Sequence, residues 1–300
     1  MIKILDKIAL KSIIFSKMLD ILFKMWYNIS WKVIYNMARR YKDTIQCLKY
    51  NIDCNDAPLE ILALADLHIG DPHADMDKIQ ELIDSVKNNP NRYAVLVGDL
   101  MNTGIANSKS DVYHEVMTAQ EALDTCVDML EPIADKILAV VPGNHEERIT
   151  RQTGVDMVQE LTKRLNISDT YSSTFAVVYL QFGKNPRTCR PLNYTLYINH
   201  GHGGGRRPGG KLNSLQDYAL VIDADCYIVG HTHLPASFKT ATYSTVPARG
   251  VAVKREQLFV NTASALGYGG YGARGGYQPA SNSYPVVTFD DKWQKMTVTL

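Results

Sequence analysis

Six of the eight histidines in the chain lie in five short motifs that also carry Asp, Asn and Gly. Each motif directly follows a short run of apolar and β-branched residues, which is the pattern of a buried strand. In chain order the motifs are Asp66-Leu67-His68, Gly98-Asp99, Gly143-Asn144-His145-Glu146, His200-Gly201-His202 and Gly230-His231-Thr232-His233. Carboxylate, imidazole and amide groups without a thiolate suit Mn, Fe, Zn or Ni better than a structural zinc site. The sequence therefore predicts a site for divalent metal ions.

The runs that precede these motifs predict five strands. They span residues 60–65, 93–97, 137–141, 194–199 and 226–229. Helical stretches alternate with the short strands, which indicates an α/β layered fold. Ligands of open α/β sheets bind outside the carboxyl ends of the strands, so strands lying side by side would bring the five motifs together. The candidate ligands are too many for one ion, whereas two ions that share a carboxylate would use them all.

The composition excludes several classes of protein. The chain has 300 residues, of which 45% are hydrophobic and 21% are charged, and its formal net charge is +1. A disordered chain has a lower hydrophobic content and a higher net charge. Five cysteines without a CxxC pair indicate neither a zinc knuckle nor a disulfide framework. This cysteine usage predicts a reducing, cytoplasmic location.

The first 56 residues differ from the rest of the chain in charge. They carry ten Lys and Arg against five Asp and Glu, a net charge of +5, whereas residues 57–300 carry 22 basic and 26 acidic side chains. Apolar residues at helical spacing between Leu5 and Val33 predict one or two amphipathic helices. Charged residues interrupt every apolar window there, so no stable membrane span is expected. We expect residues 1–56 to form a basic helical extension.

Three interpretations of this extension stay open. It packs on the main domain, or it lies on a membrane surface, as basic helices with Trp and Phe do, or the native protein begins at Met37. Residues 57–300 are expected to form one catalytic domain, although length alone would suggest two domains in the chain. The acidic balance of this part argues against a long basic track for nucleic acid.

The five motifs, in this order, resemble those of the calcineurin-like metallophosphoesterases. The pattern of that superfamily is DxH, GD, GNH[DE], a lone His and GHxH, and the resemblance covers roughly residues 59–300. It implies an α/β sandwich of two mixed β-sheets flanked by helices. It also implies two divalent metal ions, with Mn favoured, and hydrolysis of a phosphate ester by a metal-activated hydroxide.

The resemblance also implies a role for each residue of the motifs. Asp66, His68 and His233 would bind the first metal ion, Asn144, His200 and His231 would bind the second, and Asp99 would bridge the two. His200 is preferred to His202 as a ligand because it directly follows its strand. His145 would stabilise the transition state or protonate the leaving oxygen, and Glu146 would orient His145 by accepting its second N–H. Arg148 and His202 are expected to bind the substrate phosphate.

The motifs do not all resemble one branch of the superfamily. The sequence GNHEERIT at residues 143–150 is similar to the GNHESR-type block of protein Ser/Thr phosphatases, in which an arginine grips the phosphate. The second motif reads GDLMNTG and lacks the arginine of their GDxVDRG, and ADLHIG with GDL and GHTH is more similar to phosphodiesterases and DNA-repair exonucleases. We therefore expect a phosphodiesterase or nuclease-type activity. A phosphomonoesterase is the alternative, and a non-catalytic scaffold would require a lost ligand or catalytic His, which the sequence does not show.

Two glycine-rich segments could help to bind a substrate if that substrate is a nucleic acid. Residues 203–211 carry three cations that would hold phosphates if the segment lies beside the metals. Residues 267–277 interleave tyrosines with an arginine, a pattern that stacks on bases. The plain interpretations are a solvated lid for the first segment and an irregular loop for the second.

Overall fold

The computed structural model describes residues 45, 47–105, 112–203, 205, 207–274, 276–279 and 281–300. Contacts within the chain define two units, Met1–Gln46 and Cys47–Leu300. The helices predicted for the basic extension lie outside the described residues. Among the residues that are described, no helix has the length and the apolar character needed to cross a membrane.

The second unit is built from short strands and helices. The strands within the described residues are β1 Leu48–Ile52, β2 Leu59–Leu64, β3 Arg92–Val97, β4 Ile137–Val141, β5 Phe175–Phe182, β6 Leu192–Asn199, β7 Cys226–Val229, β8 Ala236–Val246, β9 Val251–Asn261, β10 Val286–Phe289 and β11 Met296–Thr299. The α-helices are α1 Met76–Asn88, α2 Ala119–Leu130, α3 Asn144–Thr153, α4 Met157–Arg164, α5 Pro208–Asp217 and α6 Gly270–Arg274. All five predicted strands are present, and β4 and β7 have the predicted ends.

The strands form two mixed sheets. One has six strands in the order β1-β5-β6-β7-β9-β8, and the other has five in the order β11-β10-β2-β3-β4. In the first sheet β6, β7 and β9 are parallel, and in the second β2, β3 and β4 are parallel. The predicted α/β fold of two mixed sheets flanked by helices is confirmed.

The layers of the fold follow from the alternation of side chains along each strand. On β2, Ile61 and Ala63 are buried in the cluster between the two sheets, whereas Leu62 and Leu64 pack in the cluster that also contains buried residues of α1, α2 and α4. The outer face of the six-stranded sheet packs against α5 through Leu215. Because these strands are buried on both faces, their sequences are almost continuously apolar.

The compact unit begins earlier than the sequence indicated. The strand β1 pairs in parallel with β5, with Leu48 opposite Val178 and Ile52 opposite Phe182. The boundary expected between residues 56 and 57 therefore moves to Cys47. The reason is that residues 48–52 alternate between half-buried and exposed positions at the edge of a sheet, which gives only a weak sequence signal.

We predict that Phe289→Ala strongly destabilises the domain. The Phe289 side chain is fully buried, and its ring centroid lies 4.9 Å from that of Tyr194 and 6.4 Å from that of Phe182. Removing such a side chain from a core lowers the free energy of unfolding by about 3–5 kcal/mol, which urea denaturation of the purified chain would measure. Tyr243→Ala, at an exposed position of β8, is the control and should change this value by less than about 0.5 kcal/mol. Equal effects of the two variants would contradict the described packing.

Candidate metal centre

The loops that follow β2, β3, β6 and β7 are joined by backbone hydrogen bonds. The N–H of Asp66 donates to the carbonyl of Gly98, and that of His68 to the carbonyl of Asp99, both at 3.0 Å. The N–H of Gly230 donates to the carbonyl of His200 at 3.1 Å. The N–H of His231, after β7, donates to Oδ2 of Asp66, after β2, at 2.9 Å, and this bond joins the two sheets. The carboxyl ends of strands from both sheets thus meet at one place, as expected for ligand sites in α/β folds.

Asp66, His68 and His233 form a first group of converging polar atoms. The Nε2 atom of His233 lies 3.1 Å from Oδ1 of Asp66 and 3.3 Å from Nε2 of His68. The Oδ1 atom of Asp66 is buried and accepts no hydrogen bond within the described residues. Two imidazole nitrogens and an unsatisfied carboxylate oxygen at these distances fit a bound cation.

Asp99, His200 and His231 form a second group. The Nε2 atom of His200 lies 3.2 Å from Oδ2 of Asp99, 3.2 Å from Oδ1 of Asn144 and 3.3 Å from Nδ1 of His231. The other ring nitrogen of His200 lies 2.7 Å from the carbonyl oxygen of Val97. Because a carbonyl can only accept, Nδ1 carries a proton, which leaves Nε2 as the ring atom that would lose its proton to bind a cation.

Asp99 also belongs to a third group, with His68 and His145. Its carboxylate therefore faces residues of both preceding groups, which fits the bridging position predicted from the sequence. Burial disfavours the charged form of Asp99, yet His200 and His145 hold the pKa of this carboxyl well below its usual value. Although burial opposes it, Asp99 raises the pKa of the His200 imidazole to about 10. The carboxylate thus draws positive charge into the site, which a divalent cation would supply.

Five of the predicted ligands adopt a left-handed backbone. Their φ angles are 52° at Asp66, 51° at His68, 50° at Asp99, 69° at His231 and 51° at His233. This region costs energy for residues with a Cβ, and such strain concentrates at functional sites. Here it turns the chain sharply after each strand and directs the side chains toward a common point.

Two glycines allow the second and third motifs to approach each other. A Cβ on Gly143 would lie 2.1 Å from Oδ1 of Asp99, and a Cβ on Gly98 would lie 2.4 Å from the nitrogen of Gly143. Gly98 also has a φ of +77°. Only glycine fits at these positions, because a side chain at Gly143 would push the Asp99 carboxylate away from the other groups and one at Gly98 would collide with the backbone of Gly143.

The role predicted for Glu146 is wrong. The carboxylate of Glu146 is buried and accepts hydrogen bonds from the backbone N–H groups of Asp99 at 3.1 Å, Met101 at 2.9 Å and Gly143 at 2.9 Å. The Nδ1 atom of His145 has no hydrogen-bond partner within the described residues. Glu146 thus joins the loops of the second and third motifs, because the first turn of α3 directs it inward beneath them.

His145 lies beside His68 of the first group and Asp99 of the second. Hydrogen bonds of its backbone fix its position. Its N–H donates to Oδ1 of Asp99 at 2.8 Å, and its carbonyl accepts from the hydroxyl of Thr103. The imidazole is edge-on to that of His68, with ring centroids 4.6 Å apart. Burial lowers the pKa of His145 well below its usual value, so the ring is neutral near pH 7.

The two predicted substrate-binding residues differ in their surroundings. Arg148 is half-buried on α3, and although burial lowers its pKa, the negative charges of Asp99, Glu146 and Glu115 act in the opposite direction. This environment differs from that of a solvated residue in a first helical turn. His202 is exposed, with Nδ1 3.2 Å from the hydroxyl of Tyr218, and it belongs to none of the converging groups found among the described residues.

Asn261 is a functional candidate that the sequence analysis did not identify. It is buried at the end of β9, and its Nδ2 donates to the hydroxyl of Thr232 at 2.7 Å and to the carbonyl of Leu234 at 2.6 Å. These bonds hold the turn that carries His231 and His233. The same rule that found the other motifs, a polar residue directly after a buried strand, also applies to Asn261.

The motif order and geometry agree with a comparison against protein families. The model of the family described as calcineurin-like phosphoesterase matches residues 67–235, which is more than half of the chain. The chain belongs to the calcineurin-like phosphoesterase family. Members of this family are generally metal-dependent phosphoesterases. The matched range includes every candidate ligand except Asp66, which lies one residue before it.

Two solved structures that are similar to this chain have low sequence identity to it. A predicted phosphoesterase from Streptococcus pneumoniae TIGR4 is 16% identical with a TM-score of 0.34, and the match covers 81% of this chain and 89% of that one. Wild-type Vps29 from Entamoeba histolytica, solved in complex with Zn²⁺, is 15% identical with a TM-score of 0.35, over 80% and 98% of the two chains. A search of curated protein sequences finds no match.

We predict that Asn261→Ala weakens metal binding. Without the two side-chain hydrogen bonds, the turn that carries His231 and His233 loses its support, and loss of such supporting contacts lowers metal affinity roughly 10–100-fold. Calorimetric titration of the metal-free chain with Mn²⁺ would measure this, with circular dichroism to show that the variant is folded. Asn193→Ala, at an exposed position on β6, is the matched control. Mn²⁺ affinity equal in the wild type and Asn261→Ala would show that Asn261 does not support the site.

Proposed function

We propose that this phosphoesterase is a dinuclear metal-dependent enzyme that hydrolyses phosphodiesters. The observation that carries the proposal is the convergence of both side-chain groups on the buried carboxylate of Asp99. Every motif position expected of a catalytic member is also present. This completeness supports an enzyme over a scaffold that only keeps the fold.

The proposed ligands are the residues of the two converging groups. Asp66, His68 and His233 would hold one ion, Asn144, His200 and His231 the other, and Asp99 both. The nitrogen and oxygen donors suit Mn²⁺, Fe, Zn²⁺ or Ni²⁺, and we favour Mn²⁺. When bound, two such ions act as Lewis acids on the phosphoryl oxygens and lower the pKa of water.

The side chains around the ligands would position the ester and handle its protons. Nδ1 of His145 is unbonded within the described residues, so its ring is not committed to a structural contact. We infer that the neutral ring of His145 donates its N–H to the phosphoryl group in the transition state; the other expected role, protonation of the leaving oxygen, would need a cationic ring, which the lowered pKa disfavours. The Arg148 guanidinium, near Asp99, would bind phosphate oxygens in a bidentate manner. His202 would contact the phosphate from the exposed side of the site.

A phosphomonoesterase is the second candidate, and the placement of Arg148 favours it. A half-buried arginine near Asp99 adds positive charge, and the dianion of a monoester gains more from that charge than the monoanion of a diester does. A short nucleic acid is one diester substrate that the glycine-rich segments would suit. The cytoplasmic location and the contacts of the basic extension stay predictions.

The purified chain should hydrolyse bis-p-nitrophenyl phosphate when Mn²⁺ is added. Asp99→Ala should abolish turnover and weaken Mn²⁺ binding, because it removes the carboxylate shared by both groups. His145→Ala should lower kcat by about 10²–10⁴-fold and leave Mn²⁺ binding unchanged, because it removes the N–H that donates to the phosphoryl group and no ligand.

His114→Ala controls for the removal of a histidine, since His114 is exposed and outside the site. Rates of p-nitrophenol release and calorimetric Mn²⁺ titrations distinguish the two kinds of variant. A wild-type chain that is inactive with Mn²⁺, Fe²⁺, Zn²⁺ and Ni²⁺ would contradict the enzyme assignment and support a scaffold.

The preference between ester classes is tested by comparing kcat/KM for three substrates. We expect bis-p-nitrophenyl phosphate to be hydrolysed faster than p-nitrophenyl phosphate, and single-stranded DNA to be degraded if nucleic acid is the substrate. A clear preference for the monoester would establish the phosphomonoesterase alternative. Arg148→Lys should reduce kcat/KM in either case, because an ammonium does not reproduce the bidentate contact.

A further inference from the structure

Lys211 reaches the turn that carries two of the proposed metal ligands. It lies in the first turns of α5, and its Nζ donates to the backbone carbonyl of Thr232 at 2.6 Å. Thr232 is the residue between His231 and His233. An ammonium group has three N–H donors, so this single bond leaves two donors for another acceptor.

The charge of Lys211 has no counter-ion within the described residues. The side chain is half-buried, and burial alone lowers its pKa, with no contribution from a neighbouring carboxylate. The first turn of α5 also contains no acidic residue, and the N-terminal end of a helix disfavours a cation. A partly buried ammonium in this position would gain free energy from a bound anion.

The turn does not depend on Lys211 for its conformation. Asn261 already bonds the hydroxyl of Thr232 and the carbonyl of Leu234, and the N–H of His231 donates to Oδ2 of Asp66 at 2.9 Å. These bonds come from buried groups on β9 and after β2. The contact from Lys211 is therefore not needed to hold the turn. Its main consequence is that a cation lies beside the metal centre.

We propose that Lys211 is a substrate-binding residue that donates to a phosphate oxygen of the ester. The inference rests on the proposed function, because the anion it assigns is the phosphate of the substrate. Arg148 on α3 lies near Asp99, and Lys211 on α5 lies beside the turn of His231 and His233, so cations from two helices would bind the phosphate. The sequence predicted that cations of the glycine-rich segment 203–211 hold phosphates, and the proposal gives this role to Lys211 on α5.

The test is calorimetric titration of the Mn²⁺-loaded full chain with inorganic phosphate. Lys211→Met should weaken phosphate binding about tenfold, as expected for a lost hydrogen bond to a charged group, and should leave Mn²⁺ affinity unchanged. Lys211→Arg should restore most of the phosphate affinity, since it keeps the charge. Lys163→Met, at an exposed position on α4, is the matched control and should bind phosphate like the wild type.

Three results would overturn the inference. They are a wild type that binds no phosphate, a Lys211→Met variant with wild-type phosphate affinity, and a parallel fall in Mn²⁺ affinity that would make Lys211 a support of the turn. Failure of the proposed function is distinguishable, because calorimetry needs no turnover. A chain that binds phosphate through Lys211 and hydrolyses no ester would refute the function, whereas hydrolysis that is insensitive to Lys211→Met would refute only the role of Lys211.

Discussion

The buried carboxylate of Asp99 is the interaction on which the site depends. A charged group removed from water needs compensating positive charge and hydrogen bonds. Around Asp99 the positive charge comes from His200, and the hydrogen bonds come from His200 and the backbone N–H of His145. No single strand can provide them, so the carboxyl ends of strands from both sheets must meet there. The two-sheet sandwich is the arrangement that makes this meeting possible.

The surrounding structure holds the loops in the conformation that this meeting requires. Five ligands with left-handed φ angles and the close approach of Gly98 to Gly143 are unfavourable on their own. Buried polar side chains offset the cost. Glu146 accepts three backbone N–H groups from the second and third motifs, and Asn261 fixes the last turn. The rigid strands and these hydrogen bonds together keep the ligands pre-positioned.

Much of the fold was predictable from the sequence because local patterns determine it. The buried parallel strands have apolar sequences that end abruptly in polar motifs, so β4 and β7 were placed with their observed ends. The edge strand β1 was missed, since an exposed edge leaves a weak pattern. The partners of Glu146 were also not predictable, because a motif places a residue on its element but does not show which long-range backbone groups its side chain meets. Asn261 also follows the strand-end rule, but no histidine or carboxylate stands beside it in the sequence to mark a motif.

The central claim is that two ions bind on either side of Asp99. Anomalous diffraction at the Mn absorption edge, from crystals grown with Mn²⁺, tests it most directly. The account predicts two anomalous peaks within bonding distance of the Asp99 carboxylate, one beside Asp66, His68 and His233 and the other beside Asn144, His200 and His231. A single peak, or peaks away from Asp99, would contradict it.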